Sequence, residues 1–172
     1  MTEGDGNDTN TAGRIAFPEL QGRWLNECEL FDDDAPEDGY EQRTIDVTGN
    51  DYVLEVVIYS DSNCVTRLTR GFLQGGSSVQ ITGILERPEG TANTGVGAVP
   101  FINIVGQNTT IDNEPLVASV EAFFPNETTY TIVYVDGNTM YLGAEDLDDD
   151  DSGTTPETRD MTLDFDYPWV KQ

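Results

Sequence analysis

Histidine is absent from this chain of 172 residues, and lysine occurs once, as Lys171. Without imidazole the chain lacks the usual general base at neutral pH and the commonest metal ligand. Cysteine occurs only at Cys28 and Cys64, too few for a four-thiolate zinc site. No apolar run approaches the ~18–20 residues of a membrane-spanning helix. Positive charge is scarce: 8 Lys and Arg stand against 33 Asp and Glu, for a formal net charge of −25. Nucleic-acid phosphates are bound by cationic side chains, so nucleic acid is not an expected partner. An anionic membrane surface would repel the chain for the same reason.

What is present is enough for one core. Leu, Ile, Val and Phe make up 41 of the 172 residues, above the ~20% level below which chains tend to stay disordered. The length suits a single domain. Residues 1–16 are polar and without periodicity, and read as a flexible tail; 17–172 read as the folded domain. The start, Met1-Thr2-Glu3-Gly4-Asp5, carries no signal peptide. An exported chain looks like this once its leader is gone; a cytosolic start is the alternative. The acidity, with Asp more frequent than Glu and Thr frequent, suits a marine or salt-adapted host, because salt screens self-repulsion. A soluble, acidic, exported protein without salt adaptation is the plainer reading.

The pattern after residue 17 is that of strands. Tyr52, Leu54, Val56 and Ile58 form one apolar face of a run that begins at Asp51. Tyr130, Ile132 and Tyr134 alternate with Thr129, Thr131, Val133 and Val135, and Met161, Leu163, Phe165 and Tyr167 alternate with Thr162, Asp164 and Asp166. Further strands are predicted at 20–30, 42–48, 64–74, 77–86, 99–106, 115–124 and 139–143. Gly49-Asn50-Asp51, Gly75-Gly76-Ser77 and Asp136-Gly137-Asn138 punctuate them as hairpin turns. Loops are predicted at 31–41, 87–98 and 144–160; a short turn around Asp112–Leu116 is the best helical candidate. Strands spaced about 8–12 residues apart indicate an all-β sandwich or barrel. Cys28 and Cys64 each flank a predicted strand, and read as one disulfide formed in an oxidising compartment rather than as two buried thiols. In the chain-entropy picture such a bridge stabilises by roughly 3.5–4 kcal/mol.

The segment Leu20-Gln21-Gly22-Arg23-Trp24 opens the first strand. Gly permits a tight bend, and Trp can plug a barrel end with a large apolar area. The segment resembles the first-strand signature of the lipocalin-like (calycin) barrels. That resemblance implies a single antiparallel up-and-down β-barrel of about 8–10 strands. It also implies a late cation packed over Trp24, for which Arg159 and Lys171 are the choices. Gly22, Trp24 and Arg159 are thus candidates for closing the barrel, with Lys171 the alternative to Arg159.

A wider resemblance runs over most of 20–172. It is carried by Gly22-x-Trp24 with Cys28, by Tyr59-Ser60-Asp61 leading to Cys64, and by Asp136-Gly137-Asn138-Thr139-Met140-Tyr141-Leu142-Gly143. Arg159 before Thr162-Leu163-Asp164, with Tyr167-Pro168, completes it. This is similar to a group of small exported proteins of marine gammaproteobacteria, many with a lipoprotein-type leader and none with an established activity. One departure is that Asp160 follows Arg159 where that group often has Pro. The resemblance implies export and a barrel, not a reaction. The implied places are the periplasm, the outer membrane as a lipoprotein, or the medium.

Three kinds of site are conceivable in such a chain. Asp148, Asp150 and Ser152, followed by Gly153, match the first half of a calcium loop, whose alternate oxygens suit a hard cation. The second half fails, because Arg159 stands where the closing Glu belongs, and a solvated acidic loop is the plain alternative. No other cofactor is implied. Tyr52, Tyr59, Tyr130, Tyr134, Phe72, Phe101 and Phe123 are candidates to line a ligand pocket, or else to fill a core. Glu55 and Glu121 lie on otherwise apolar strand faces and read as facing solvent. Catalysis is not expected: no nucleophile–base pair of the usual kind is available, and 33 acids make chance carboxylate pairs inevitable.

The reading is therefore a non-enzymatic, exported, lipocalin-like binding module for a small apolar ligand. The alternative is a protein-interaction module with a filled barrel: an adhesion, scaffold or protease-inhibitor-like domain, or a homo-oligomer joined at edge strands. Small exported inhibitors also use compact barrels with a Gly-x-Trp start and a nearby disulfide.

Overall fold

The structure, a computed structural model, describes residues 14–31, 34, 36, 39–68, 78–111, 114–115, 127–145 and 151–172. A one-turn 3-10 helix, Pro18–Leu20, precedes β1 (Gly22–Leu25) and β2 (Glu29–Leu30). Then follow β3 (Tyr40–Thr48), β4 (Asp51–Tyr59), β5 (Ser78–Glu86), β6 (Thr91–Thr94) and β7 (Gly97–Ile111). The chain ends with β8 (Glu114–Pro115), β9 (Thr128–Asp136), β10 (Thr139–Leu142) and β11 (Trp169–Lys171). Among the described residues no helix is long and apolar enough to cross a membrane.

Every pairing is antiparallel. Strand β1 bonds both to β3, where Trp24 faces Ile45, and to β11, where Trp24 faces Lys171. That double pairing closes the sheet β1-β3-β4-β5-β7-β9-β10-β11 into an eight-stranded up-and-down barrel. Closure removes the long free edges through which open sheets aggregate. Strand β2 continues along the β3 edge that β1 leaves; β6 and β8 pair with β7 outside the wall.

The turns read from sequence are where they were expected. Gly49–Asn50 joins β3 to β4, and Gly137–Asn138 joins β9 to β10, with Gly137 at φ 59°. Positive φ at the first turn position matches the twist of a two-residue hairpin, which explains glycine there. The third turn, Gly75-Gly76-Ser77, and most of the predicted strand 115–124 lie outside the described residues.

Several sequence expectations are corrected. The helical candidate around Asp112–Leu116 contains the short strand β8, and the predicted strand 64–74 starts in the turn after β4, its remainder beyond 68 lying outside the described residues. The predicted strand 161–167 is a series of bends, joined to the sheet only by a bridge from Leu163 to Gly143. Asp164 accepts a bond from the Asp166 N–H at 3.1 Å, which turns the chain back on itself. The last barrel strand is instead Trp169–Lys171, just after Pro168. The predicted loop 87–98 contains β6 and the start of β7, a hairpin turning at Gly95–Val96. Its strand Thr91-Ala92-Asn93-Thr94 has one apolar residue and gives no alternation to read.

The expected disulfide is present. Cys28 and Cys64 are bonded with Cα atoms 5.8 Å apart, tying the link between β1 and β2 to the turn after β4. That turn is organised by Asp61, whose carboxylate accepts the backbone N–H groups of Asn63, Val65 and Thr66. The Thr66 bond is the main reason its acidity is stronger than an ordinary Asp.

Candidate functional site

Alternation along the strands sorts the apolar residues into two layers. The inner layer faces the barrel axis. Phe17, Leu20, Trp24, Val47, Tyr52, Ile102, Val133, Met140 and Trp169 are buried together there. Trp24 has no exposed surface, and its indole N–H donates to the Leu20 carbonyl at 2.8 Å. The 3-10 turn thus plugs this end of the barrel, held in place by Asn50 and Gln21. Asn50 accepts from the Ala16 N–H, and Gln21 donates to the Phe17 and Gly49 carbonyls and accepts from the Gly49 N–H.

The cation over Trp24 is Lys171, its Nζ 5.4 Å from the ring centroid. Gly22 has φ 110°, and a side chain there would press on the Lys171 stem at 3.2 Å. Gly22, Trp24 and Lys171 therefore form the closing group. Arg159 does not join it. It lies in the segment after β10, where chain direction rather than residue type decides which cation reaches the Trp.

Inside the barrel the apolar residues leave a cavity of about 200 Å³. Strand β3 contributes Arg43, Ile45 and Val47 to its wall, and β4 contributes Tyr52 and Leu54. Leu85, Ile102, Ile104, Thr129, Met140, Leu142, Trp169 and Leu20 complete it. A dry cavity of ~150 Å³ holds benzene, so this one has room for a ring with a substituent. Burial pushes the Tyr52 phenol up to about 12, so it stays neutral.

Of the five aromatic candidates among the described residues, Tyr52 alone is on this wall. Phe101, Tyr130 and Tyr134 are turned to the opposite face by the alternation that points Ile102, Thr129, Thr131 and Val133 inward, and Tyr59, one residue past the inward Ile58, is likewise on the outer face. Phe72 and Phe123 lie outside the described residues. Glu55 is on the outer face, accepting a bond from the Gln80 amide at 3.0 Å; Glu121 is not described.

Sequence reasoning missed the charged residues of the inner face, of which Arg43 lines the cavity. Glu41 shares the inner face of β3 with Arg43, Ile45 and Val47, and is 3% exposed. Its Oε1 accepts from Arg43 Nε at 3.1 Å and Nη2 at 2.7 Å, while Oε2 is buried with no hydrogen-bond partner among the described residues. The signal was available: Ile45 and Val47 define the apolar face, and Glu41 and Arg43 fall on it at two-residue steps.

The outer layer covers the β7–β9–β10 side of the wall. Ala92, Val99, Ile132 and Leu163 are buried together, with Phe101, Tyr134 and Tyr141 against them. Arg159 fastens this layer. It donates to the carbonyls of Ile102 (3.0 Å) and Thr131 (2.8 Å) and to the Asn103 side chain (2.8 Å), over the rings of Phe101 and Tyr130. Burial draws its pKa below the ordinary guanidinium value, and Tyr130 and Asp160 act the other way. Asp160 is raised by burial, against the Ser152 hydrogen bond, the Arg159 charge and the Thr131 hydroxyl.

Of the calcium candidates, Asp148 and Asp150 lie outside the described residues. Ser152 donates its hydroxyl to Asp160 Oδ1 at 2.6 Å. Among the described residues, no three His, Cys, Asp or Glu side chains are grouped closely enough to hold a metal ion. Comparison with protein-family models and with curated proteins gives no match for the chain.

Proposed function

We propose that this protein is a non-enzymatic binding module, lipocalin-like in architecture, that holds a small apolar ligand inside its barrel. The observation that carries this reading is the largely apolar cavity of about 200 Å³ in an otherwise closed barrel. A fold of this kind either fills its interior with side chains or keeps room for one small ligand. The Cys28–Cys64 bridge supports export to an oxidising compartment such as the cell envelope. The net charge of −25 supports a marine or salt-adapted bacterial setting, for which a melting temperature that rises with added NaCl is the check.

The test is a native mass spectrum of protein purified without refolding. The expected result is an apolar adduct released on denaturation. A clean protein mass, with no apolar probe bound on titration, contradicts the reading.

A second reading, an adhesion, scaffold or inhibitor-like interaction module, is favoured by a different observation. Met161, Phe165, Tyr167 and Val170 are each between 44% and 53% exposed. They cluster in sequence after the outer layer, and Phe165 extends the Tyr134–Tyr141 ring stack toward solvent. Concentration-dependent association abolished by Phe165→Ser with Tyr167→Ser is the result this reading expects.

A further inference from the structure

The barrel wall is thinnest where its shortest strands meet. Strands β1 and β11 pair only as Trp24 with Lys171 and Leu25 with Val170. Strand β11 meets β10 only as Val170 with Thr139 and Trp169 with Met140. On either side the wall runs further, β3 back to Tyr40 and β10 on to Leu142. Past Leu25 and Trp169, among the described residues, no strand fills the space between Arg43 on β3 and Leu142 on β10. Asn26 edges the β3 side of this gap, donating its N–H to the Arg43 carbonyl and accepting the Arg43 N–H on its side chain.

Two spaces meet at the gap. The cavity lies on its inner side and a groove on its outer side, and Arg43, Leu142 and Trp169 line both. Side chains rather than sheet therefore separate the cavity from the surface here. The two ends of the barrel axis are closed more thoroughly. Phe17, Leu20 and Trp24 plug one end, each at most 2% exposed. At the other, Val56, Ile58, Val79 and Ile111 are buried together, with Phe31 and Leu68 packed against them.

One rim of the groove is Asn26, Glu29 and Leu30, the strap that leads from β1 into β2. Two pairs hold this strap to β3, Glu29 with Glu41 and Leu30 with Tyr40. Cys28 lies within it and is bonded to Cys64 in the turn after β4. A covalent tie removes most of the open states that so short a pairing would otherwise allow. Resting on the binding reading above, we propose that the ligand enters and leaves through this side gap rather than along the barrel axis, and that the Cys28–Cys64 bridge holds the strap that limits the opening. Neither cysteine lines the cavity or the groove. The bridge therefore governs the rate of passage and not the bound state.

The experiment follows exchange of para-fluorotoluene by fluorine NMR, which gives association and dissociation rate constants. The probe is uncharged because Glu29, Glu145 and Asp164 line the groove and would act on a charged one. Cys28→Ser with Cys64→Ser is expected to raise both rate constants about tenfold and to leave their ratio within about twofold. Leu142→Ala shortens one of the three side chains in the gap and is expected to raise the association rate constant, which contacts in the bound state do not set. It carries the test of the gap if the cysteine variant does not fold. Gln21→Ala loosens the plug by removing its bonds to Phe17 and Gly49. It is expected to leave both rate constants within about twofold.

Faster exchange in Gln21→Ala without a change in the gap variants assigns passage to the plugged end and overturns the proposal. A rise shared by all three variants means opening through general loss of stability, and overturns it as well. So does no change in any of them. A rise in Leu142→Ala with none in the cysteine variant overturns the role of the bridge. Each of these outcomes leaves the binding reading standing. If para-fluorotoluene does not bind at all, the binding reading fails and this proposal with it.

Discussion

The two faces of the β7–β9 wall make opposite use of one rule. Inward, Ile102, Ile104 and Thr129 border a space that side chains leave open, next to the buried Val133. Outward, Ile132 and Val99 are as buried as any inner residue, but beneath a filled layer of hairpin and late chain. The inner face holds its charges as a Glu–Arg pair with one oxygen unmet, whereas the outer face holds Arg159 with three bonds and two aromatic rings. The contrast teaches where to look for function in an all-β chain. The outer layer is satisfied and complete, as structural packing should be. The inner one leaves volume unfilled, which is the deficit a ligand can supply.

Breaking the outer layer should cost the most. Arg159→Met removes the donors to two carbonyls and to Asn103, and is expected to destabilise by about 3 kcal/mol. Denaturant melts measure that loss, while the affinity of the cavity for an apolar probe should fall by a smaller factor, because Arg159 meets the cavity wall only through the backbone carbonyl of Ile102. A large fall in affinity would mean that the layers are coupled.

Enlarging one residue in each layer sharpens the comparison. Ala92→Leu pushes extra methylenes into the filled outer layer and should cost about 1–3 kcal/mol. Ile104→Phe points into open space and should stay within about 1 kcal/mol of the parent, while weakening or abolishing probe binding. Equal losses of stability from the two would contradict an open interior.

The smallest effect is electrostatic. Burial raises Asp160 above its ordinary value. Folding therefore favours its protonated form, and the stability it contributes is fully present below the unfolded value of 3.8. That contribution is lost as pH rises from there through the raised folded value. The melting temperature of Asp160→Asn should accordingly gain on that of the parent as pH climbs through the carboxylate range. A gap that narrows instead would contradict the assigned direction.

Much of the barrel was legible in the sequence. The Gly49–Asn50 and Gly137–Asn138 turns, the faces of β4, and the bridge between Cys28 and Cys64 all follow from local chemistry. Which face of β9 is inner was not legible. Tyr130, Ile132 and Tyr134 are more apolar than the Thr-rich face opposite, so hydropathy points to them as the lining. The face is apolar because a segment some thirty residues downstream, around Leu163, covers it from outside. Periodicity cannot carry that non-local fact. The same cover explains 161–167, whose alternation reflects Leu163 dipping into the layer between exposed neighbours rather than a strand. Lys171 over Trp24 was one of two choices, and only the antiparallel pairing of β1 with β11 decides between them.

The central claim is that the barrel interior is open, apolar and accessible. A crystal structure determined under xenon pressure tests it most directly, since xenon enters dry apolar cavities and is easily seen. A xenon peak among Ile45, Leu54, Ile104 and Met140 is the expected result. An interior with no xenon, and with those side chains in mutual contact across the axis, would contradict the account.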